Sequence, residues 1–335
     1  MLQSALSPDA NRLRARVDVG GQAVIEGVMM RAPRSLAVAV RKRNGEIVIK
    51  QDRWRSITER WPVFRRPLLR GSVVFAEALI NGLQALSFSA SQASGSQADG
   101  SDEEQAGPLA IACTMILGVG MAIVLFVLLP HILSGWLLAR LGSGYGLSSL
   151  TFHAVDGAIK LLFFLSYVWA ISFFEDVRRL FEYHGAEHKS IFAYEAGAEL
   201  TVENARKYPR LHPRCGTAFI LLVMLISIVL FSLVFTLLPA AASTGSWQSL
   251  PLMGLKIVLM LPVAGVAYEI IRYCSRHMER PLTRVITAPG LWLQRLTTRE
   301  PSDDQIETAL AALTSALAME QAARTATEPS AVKVP

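Results

Sequence analysis

Apolar residues fall along this chain in long blocks rather than in the short alternations of a soluble core. The blocks lie near residues 109–134, 157–174, 215–239 and 251–271, while both ends are polar. A helix rises about 1.5 Å per residue, so a hydrocarbon core about 30 Å thick takes roughly 20 apolar residues to cross. Leu109–Leu129 and Cys215–Pro239 reach that length without a charge. Gly157–Phe174 is shorter and holds Lys160 near one end, where a long side chain can snorkel to the headgroups. Pro251–Ile271 carries Lys256, Glu269 and a central Pro262, tolerable where neighbouring helices cover the disturbed backbone. The pattern predicts a mainly α membrane protein: four transmembrane helices within residues 109–276, carrying a small α+β cytosolic domain.

The polar stretches have their own signals. Residues 1–16 read as a flexible N-terminus and 17–90 as a cytosolic α+β segment. Within it Leu36–Val40 and Ile47–Ile49 are β-favouring runs, and Asn44-Gly45 between them suits a type I′ hairpin turn. Gly20, Gly21, Gly27 and Pro33 around Glu26 and Met29-Met30-Arg31 suggest a tight backbone path rather than a long helix. From Arg70 to Ser89 the apolar residues fit a helical stripe, preceded by Trp54, Trp61 and a run of arginines. Such a helix either lies in the headgroup plane or forms the core helix of the small domain. Residues 91–108 form a polar linker and 277–322 a cytosolic tail. That tail holds an alanine-rich helix from Gln305 with Ser302 as its cap, and 323–335 reads as disordered.

Charge sets the orientation. Lys and Arg number fifteen in residues 1–108, seven in the 177–216 loop and eight from 272 onward, against one in 131–157. Cations concentrate on the cytoplasmic side of membrane proteins, which predicts a bacterial inner-membrane location with both termini and the 177–214 loop in the cytoplasm. Composition then excludes whole classes: 52% of residues are apolar and 18% charged, against roughly 25% charged in ordinary soluble domains. Three scattered cysteines build no disulfide framework. No phosphate-binding or dinucleotide fingerprint supports nucleotide-driven transport, and no sequence-specific nucleic-acid binding is expected.

The candidate chemistry follows the second span. Nothing between 158 and 184 breaks a helix, so that span is expected to continue into the cytosol, with His184, Glu187, His188, Ile191 and Glu195 on one face. H-x-x-E-H is the reversed zincin pattern. Two imidazoles one turn apart ligate a metal, and the adjacent carboxylate acts as base on water. A second cluster, Leu211-His212-Pro213-Arg214-Cys215-Gly216-Thr217, begins a span and offers His212 and Cys215 as further ligands. Glu199 and Glu203, around a short helix expected from Thr201 to Lys207, add oxygen donors. The bland reading makes the same residues interface anchors and a small apolar cysteine. His131 and His153 are read as structural, and Glu269 as the ion-pair partner of Arg272.

Four stretches carry a family resemblance: Gly20 to Arg31 (GGQAVIEGVMMR), Tyr183 to Lys189 (YHGAEHK), His212 to Thr217 (HPRCGT) and Leu296 to Pro301 (LTTREP). In this order, over roughly residues 17–312, the chain resembles the YqhQ family of bacterial multi-pass membrane proteins. That family is described as a domain of unknown function or a metal-dependent enzyme. The resemblance implies a membrane location and a metal, and no established reaction.

Two readings follow. In the first, a divalent metal, zinc if cysteine joins the shell, is held by His184 and His188 with His212 or Cys215 completing the site. Glu187 is then the general base of a hydrolase, and Glu26 and Arg31 line the same cleft. In the second, the chain is a non-catalytic scaffold in the lipid bilayer, whose basic face docks anionic lipid, a ribosome or another membrane-protein complex.

Overall fold

The computed structural model describes residues 17–93, 113, 117–118, 120–141, 150–237, 249–277 and 279–326. Parts of the expected first span (109–112, 114–116 and 119), most of the 91–108 linker, and the stretches 1–16 and 327–335 lie outside them.

The polar domain is built on a four-stranded antiparallel meander: β1 (Gly20–Val24), β2 (Gly27–Arg31), β3 (Ser35–Arg41) and β4 (Ile47–Arg53). The expected hairpin is present as β3 and β4, but its loop is five residues long rather than two. Lys42 N–H donates to the Glu46 carbonyl at 2.8 Å, and Gly45 supplies a positive φ of 87°. The glycine-rich stretch read as a tight backbone path is a second hairpin, β1–β2, turning at Ile25-Glu26. Its signal was hidden because Val24, Met29 and Met30 are buried alike, without a polar alternation.

Side-chain alternation divides the sheet between two layers of helix. Val28, Met30, Ala37 and Ala39 pack on α5 (Glu175–Glu195) and α10 (Asp303–Thr325), beside Tyr183, Ile306, Leu313 and Ala316. Val24, Met29, Leu36, Val38 and Val40 face α2 (Leu69–Ala93) through Ala85, Leu86 and Phe88. With both faces covered, β3 buries six of its seven residues. Short α1 (Ile57–Arg60) and a 3-10 turn (Pro62–Arg65) lead from β4 into α2. The α10 helix begins as its sequence foretells: Ser302 and Gln305 form a capping box, with Asp303 and Asp304 in the first turn.

The remaining long helices are α3 (Gly120–Arg140, with a π-helical turn at Val124–Leu128), α4 (Leu150–Ile171), α7 (Gly216–Leu237) and α8 (Ser249–Arg276). Short α6 (Val202–Arg206), capped by Thr201, precedes α7, and α9 (Pro281–Thr297) follows α8. Among the described residues five helices, not four, are long and apolar enough to cross a membrane, because α2 qualifies as well. The α2 helix turns Glu77, Asn81, Gly82, Ala85 and Ser89 inward and leaves Leu79, Ile80 and Leu83 exposed, so its inner face is the more polar one. Its tie to α8 is a bidentate ion pair: Arg70 Nε donates to Glu269 Oε1 at 2.6 Å and Nη2 to Oε2. Glu269 therefore pairs with Arg70, not with the expected Arg272, because Gly71 and Gly265 let the two backbones meet there.

The second span does not continue unbroken into the polar domain. The α4 helix stops at Ile171 and α5 starts at Glu175, with Phe174 in extended conformation between them. Ser172 bonds back to the Trp169 carbonyl at 2.6 Å, and Glu175 and Asp176 favour a fresh helix N-terminus. On the other side, His131 Nδ1 lies 3.9 Å from Asp156, which also accepts Lys160 at 2.5 Å.

Two side chains weld the loops to α5. The buried Lys189 ammonium donates to the carbonyls of Arg206 and Tyr208, both at 2.9 Å, and pairs with Glu300 at 2.6 Å. Glu26, at φ 51° in the β1–β2 turn, accepts Arg179 at 2.6 and 2.5 Å. That carboxylate raises the pKa of the Arg179 guanidinium. Lys189→Met is expected to lower unfolding stability by about 2 kcal/mol, since it removes the donor of two part-buried carbonyls and the partner of an exposed carboxylate. Thermal unfolding of the purified protein in detergent checks this; an unchanged midpoint would refute the weld.

Candidate metal centre

The α5 helix carries His184 and His188 one turn apart, and the buried end of the 207–214 loop brings Cys215 to them at the start of α7. One donor atom from each of the three lies within 4.8 Å of the others. His184 Nε2 is 3.1 Å from Cys215 Sγ, and the two imidazole rings sit 4.4 Å apart.

The backbone decides which nitrogens face inward. His184 Nδ1–H donates to the Thr297 carbonyl at 2.8 Å, and His188 Nδ1–H to the Arg210 carbonyl at 2.5 Å. A ring whose Nδ1 carries the proton presents Nε2 as a lone pair, the tautomer a metal ligand needs. His188 Nε2 is buried and has no hydrogen-bond partner, an arrangement that ordinarily costs free energy. Burial lowers the pKa of His188 against the opposing pull of Cys215. Cys215 Sγ accepts the Thr217 backbone N–H at 3.4 Å and meets the Thr217 hydroxyl at 3.1 Å, so it is oriented from the α7 side.

His212 is beside this group, with its ring 5.6 Å from that of His188, but its nitrogens are committed elsewhere. Nδ1 accepts the Arg214 backbone N–H at 3.2 Å, and Nε2 faces Glu195 at 3.4 Å. Burial pushes its pKa down to about 4. Its backbone is clamped by Gln294, whose Oε1 accepts the His212 N–H at 2.7 Å and whose Nε2 donates to the His212 carbonyl at 2.8 Å. Glu187 is 5% exposed and packs beneath Gly21, where an added Cβ would stand 2.8 Å from its Oε1. Burial raises its pKa against the opposing pull of His184 and His212.

The other oxygen donors are spent outside the group. Glu203 is exposed and pairs with Lys207 at 3.6 Å, and Glu26 is taken by Arg179. Arg31 lies over the Trp54 ring at 4.4 Å, so Glu26 and Arg31, expected to line the cleft of the metal site, are each engaged elsewhere. Sequence reasoning missed Thr297, Arg210 and Gln294. Two of the three act through carbonyls, which every residue possesses, and only the Leu296–Pro301 stretch marked the place. Gly185 explains why that stretch can approach: an added Cβ would collide with the Arg299 carbonyl, and Arg299 N–H donates to the Phe181 carbonyl at 2.9 Å.

Residues 66–319 match the family described as "Protein of unknown function (DUF1385)", a stretch that includes the whole His/His/Cys group. The "Uncharacterized protein YqhQ" of Bacillus subtilis (strain 168) is 31% identical over 315 residues, 93% of this chain and 96% of that protein. No solved structure matches. By the length of both matches, the chain belongs to the DUF1385 family of YqhQ-like proteins.

Proposed function

We propose that the protein is a metal-dependent hydrolase of the bacterial inner membrane, with its polar domain in the cytoplasm and a divalent ion, zinc by preference, held by His184, His188 and Cys215. The observation that carries this reading is the orphaned Nε2 of His188, aimed by its Nδ1 bond into a space shared with a second imidazole and a sulfur. Two imidazoles and a thiolate are a borderline-soft donor set that suits zinc. Three protein ligands leave a fourth position open, the arrangement of catalytic rather than structural zinc. An ion there would polarise a substrate carbonyl or phosphoryl oxygen and make water more acidic.

The chain's own residues supply the rest. Thr297 and Arg210 carbonyls hold the two rings in one tautomer. Glu187, one residue before His188 and with its pKa raised by burial, is the proton acceptor. Gln294 and Glu195 fix His212 against His188 as a positioning residue. The cytoplasmic placement rests on the concentration of Lys and Arg in the stretches that flank the spans.

Metal analysis of the full chain purified in detergent tests the site. Roughly one zinc per chain is expected, lost in His188→Ala and Cys215→Ser and retained in His212→Ala. Wild-type protein that stays metal-free in zinc-containing medium overturns the reading. Gln294→Leu leaves two backbone groups of His212 unpaired and is expected to cost about 2–4 kcal/mol of stability. It should also weaken zinc retention less than His188→Ala does, as competition with a chromogenic chelator would measure. Glu187→Gln should keep the ion; an equal loss of zinc would make it a ligand rather than a base.

A further inference from the structure

We propose that the first turns of α9 are immersed in the membrane leaflet nearest the polar domain, with anionic lipid covering their outer face. The helix is apolar on the wrong side for water. Thr283, Thr287, Gly290, Leu293, Gln294 and Thr297 are buried, whereas Leu282, Val285 and Trp292 are 67%, 69% and 51% exposed. An outward apolar stripe over a small, polar inner face is stable where the surroundings are themselves apolar.

Continuity with the spans says what those surroundings are. The α8 helix ends at Arg276 and α9 begins at Pro281, so the two share one end of a candidate span. Gly290 packs directly on Ala218 of α7, and Ile286 lines a cleft with Leu221 and Leu225 of α7 and Ile271 of α8. The outer face of α9 thus prolongs the exposed apolar surface of helices suited to lipid. Charge marks the boundary: Arg272, Arg276, Arg280 and Arg284 recur every four residues across this turn. Arg280 donates to the Tyr273 hydroxyl at 2.6 Å, joining a cation and an aromatic ring as interfacial anchors do. Cations beside an apolar stripe select anionic headgroups.

The placement stands whether or not a metal is bound. It also ties the candidate site to the membrane surface, because α9 carries Thr297 and Gln294, twelve and nine residues beyond Val285.

The test is photo-crosslinking of the full chain in nanodiscs containing phosphatidylglycerol, with p-benzoylphenylalanine replacing Val285. The same probe at Glu307, on the exposed side of α10, serves as control. Irradiation is expected to add the mass of one phospholipid at 285 in several-fold higher yield than at 307. Equal yields would overturn the proposal, as would a chain dimer or an internal cross-link as the main product at 285. Should bulk at 285 impair folding, the probe at Leu282 reads the same stripe, with the same two outcomes.

Discussion

The candidate site depends on one close approach, the backbone of Arg299 laid across α5 where Gly185 has no side chain. That contact lets Thr298, Arg299 and Glu300 run as a strap between α9 and α10, and it sets the Thr297 carbonyl over His184 Nδ1. Lys189 anchors the same strap through Glu300 and the 206–208 carbonyls from the other side. The geometry of two histidines is thus an outcome of backbone packing several residues away. The glycine between them in sequence is as structural a requirement as the rings themselves.

The site also joins two halves of the chain that have different solvents. His184 and His188 belong to the helix that covers the sheet, while Cys215 begins a helix with the highest apolar content among the candidate spans. Gln294 and Thr297 come from a third direction, on a helix that packs along α7. A group assembled in this way reports on how the polar domain is seated, since tilting either half separates sulfur from nitrogen.

Much of this was readable in the sequence, for physical reasons that can be named. Every candidate span but α2 follows from length and apolarity, and α10 from Ser302, Gln305 and its alanines. The pairing of His184 with His188 follows from helical spacing. What stayed hidden depended on contacts distant in sequence. The β1–β2 hairpin has no alternation because both faces of the sheet are covered. The interruption at Ser172–Phe174 contains neither glycine nor proline, and Glu269 found Arg70 rather than its sequence neighbour because two glycines bring α2 and α8 together. The division of labour between Cys215 and His212 was left open by spacing, since each is one helical step from the other. In the fold Cys215 stands with the two α5 histidines, while the Arg214 N–H and Glu195 face the His212 nitrogens.

The layering of the sheet has a consequence for biosynthesis. One of its faces is closed by α5 and α10, and α10 leaves the ribosome well after the four strands are made. Until then Val28, Met30, Ala37 and Ala39 lack part of their final cover. The newborn strands must therefore wait, sheltered or unpaired, for α10. A messenger truncated before the codons for α10 would release a product with this face half covered, prone to stick to its own kind.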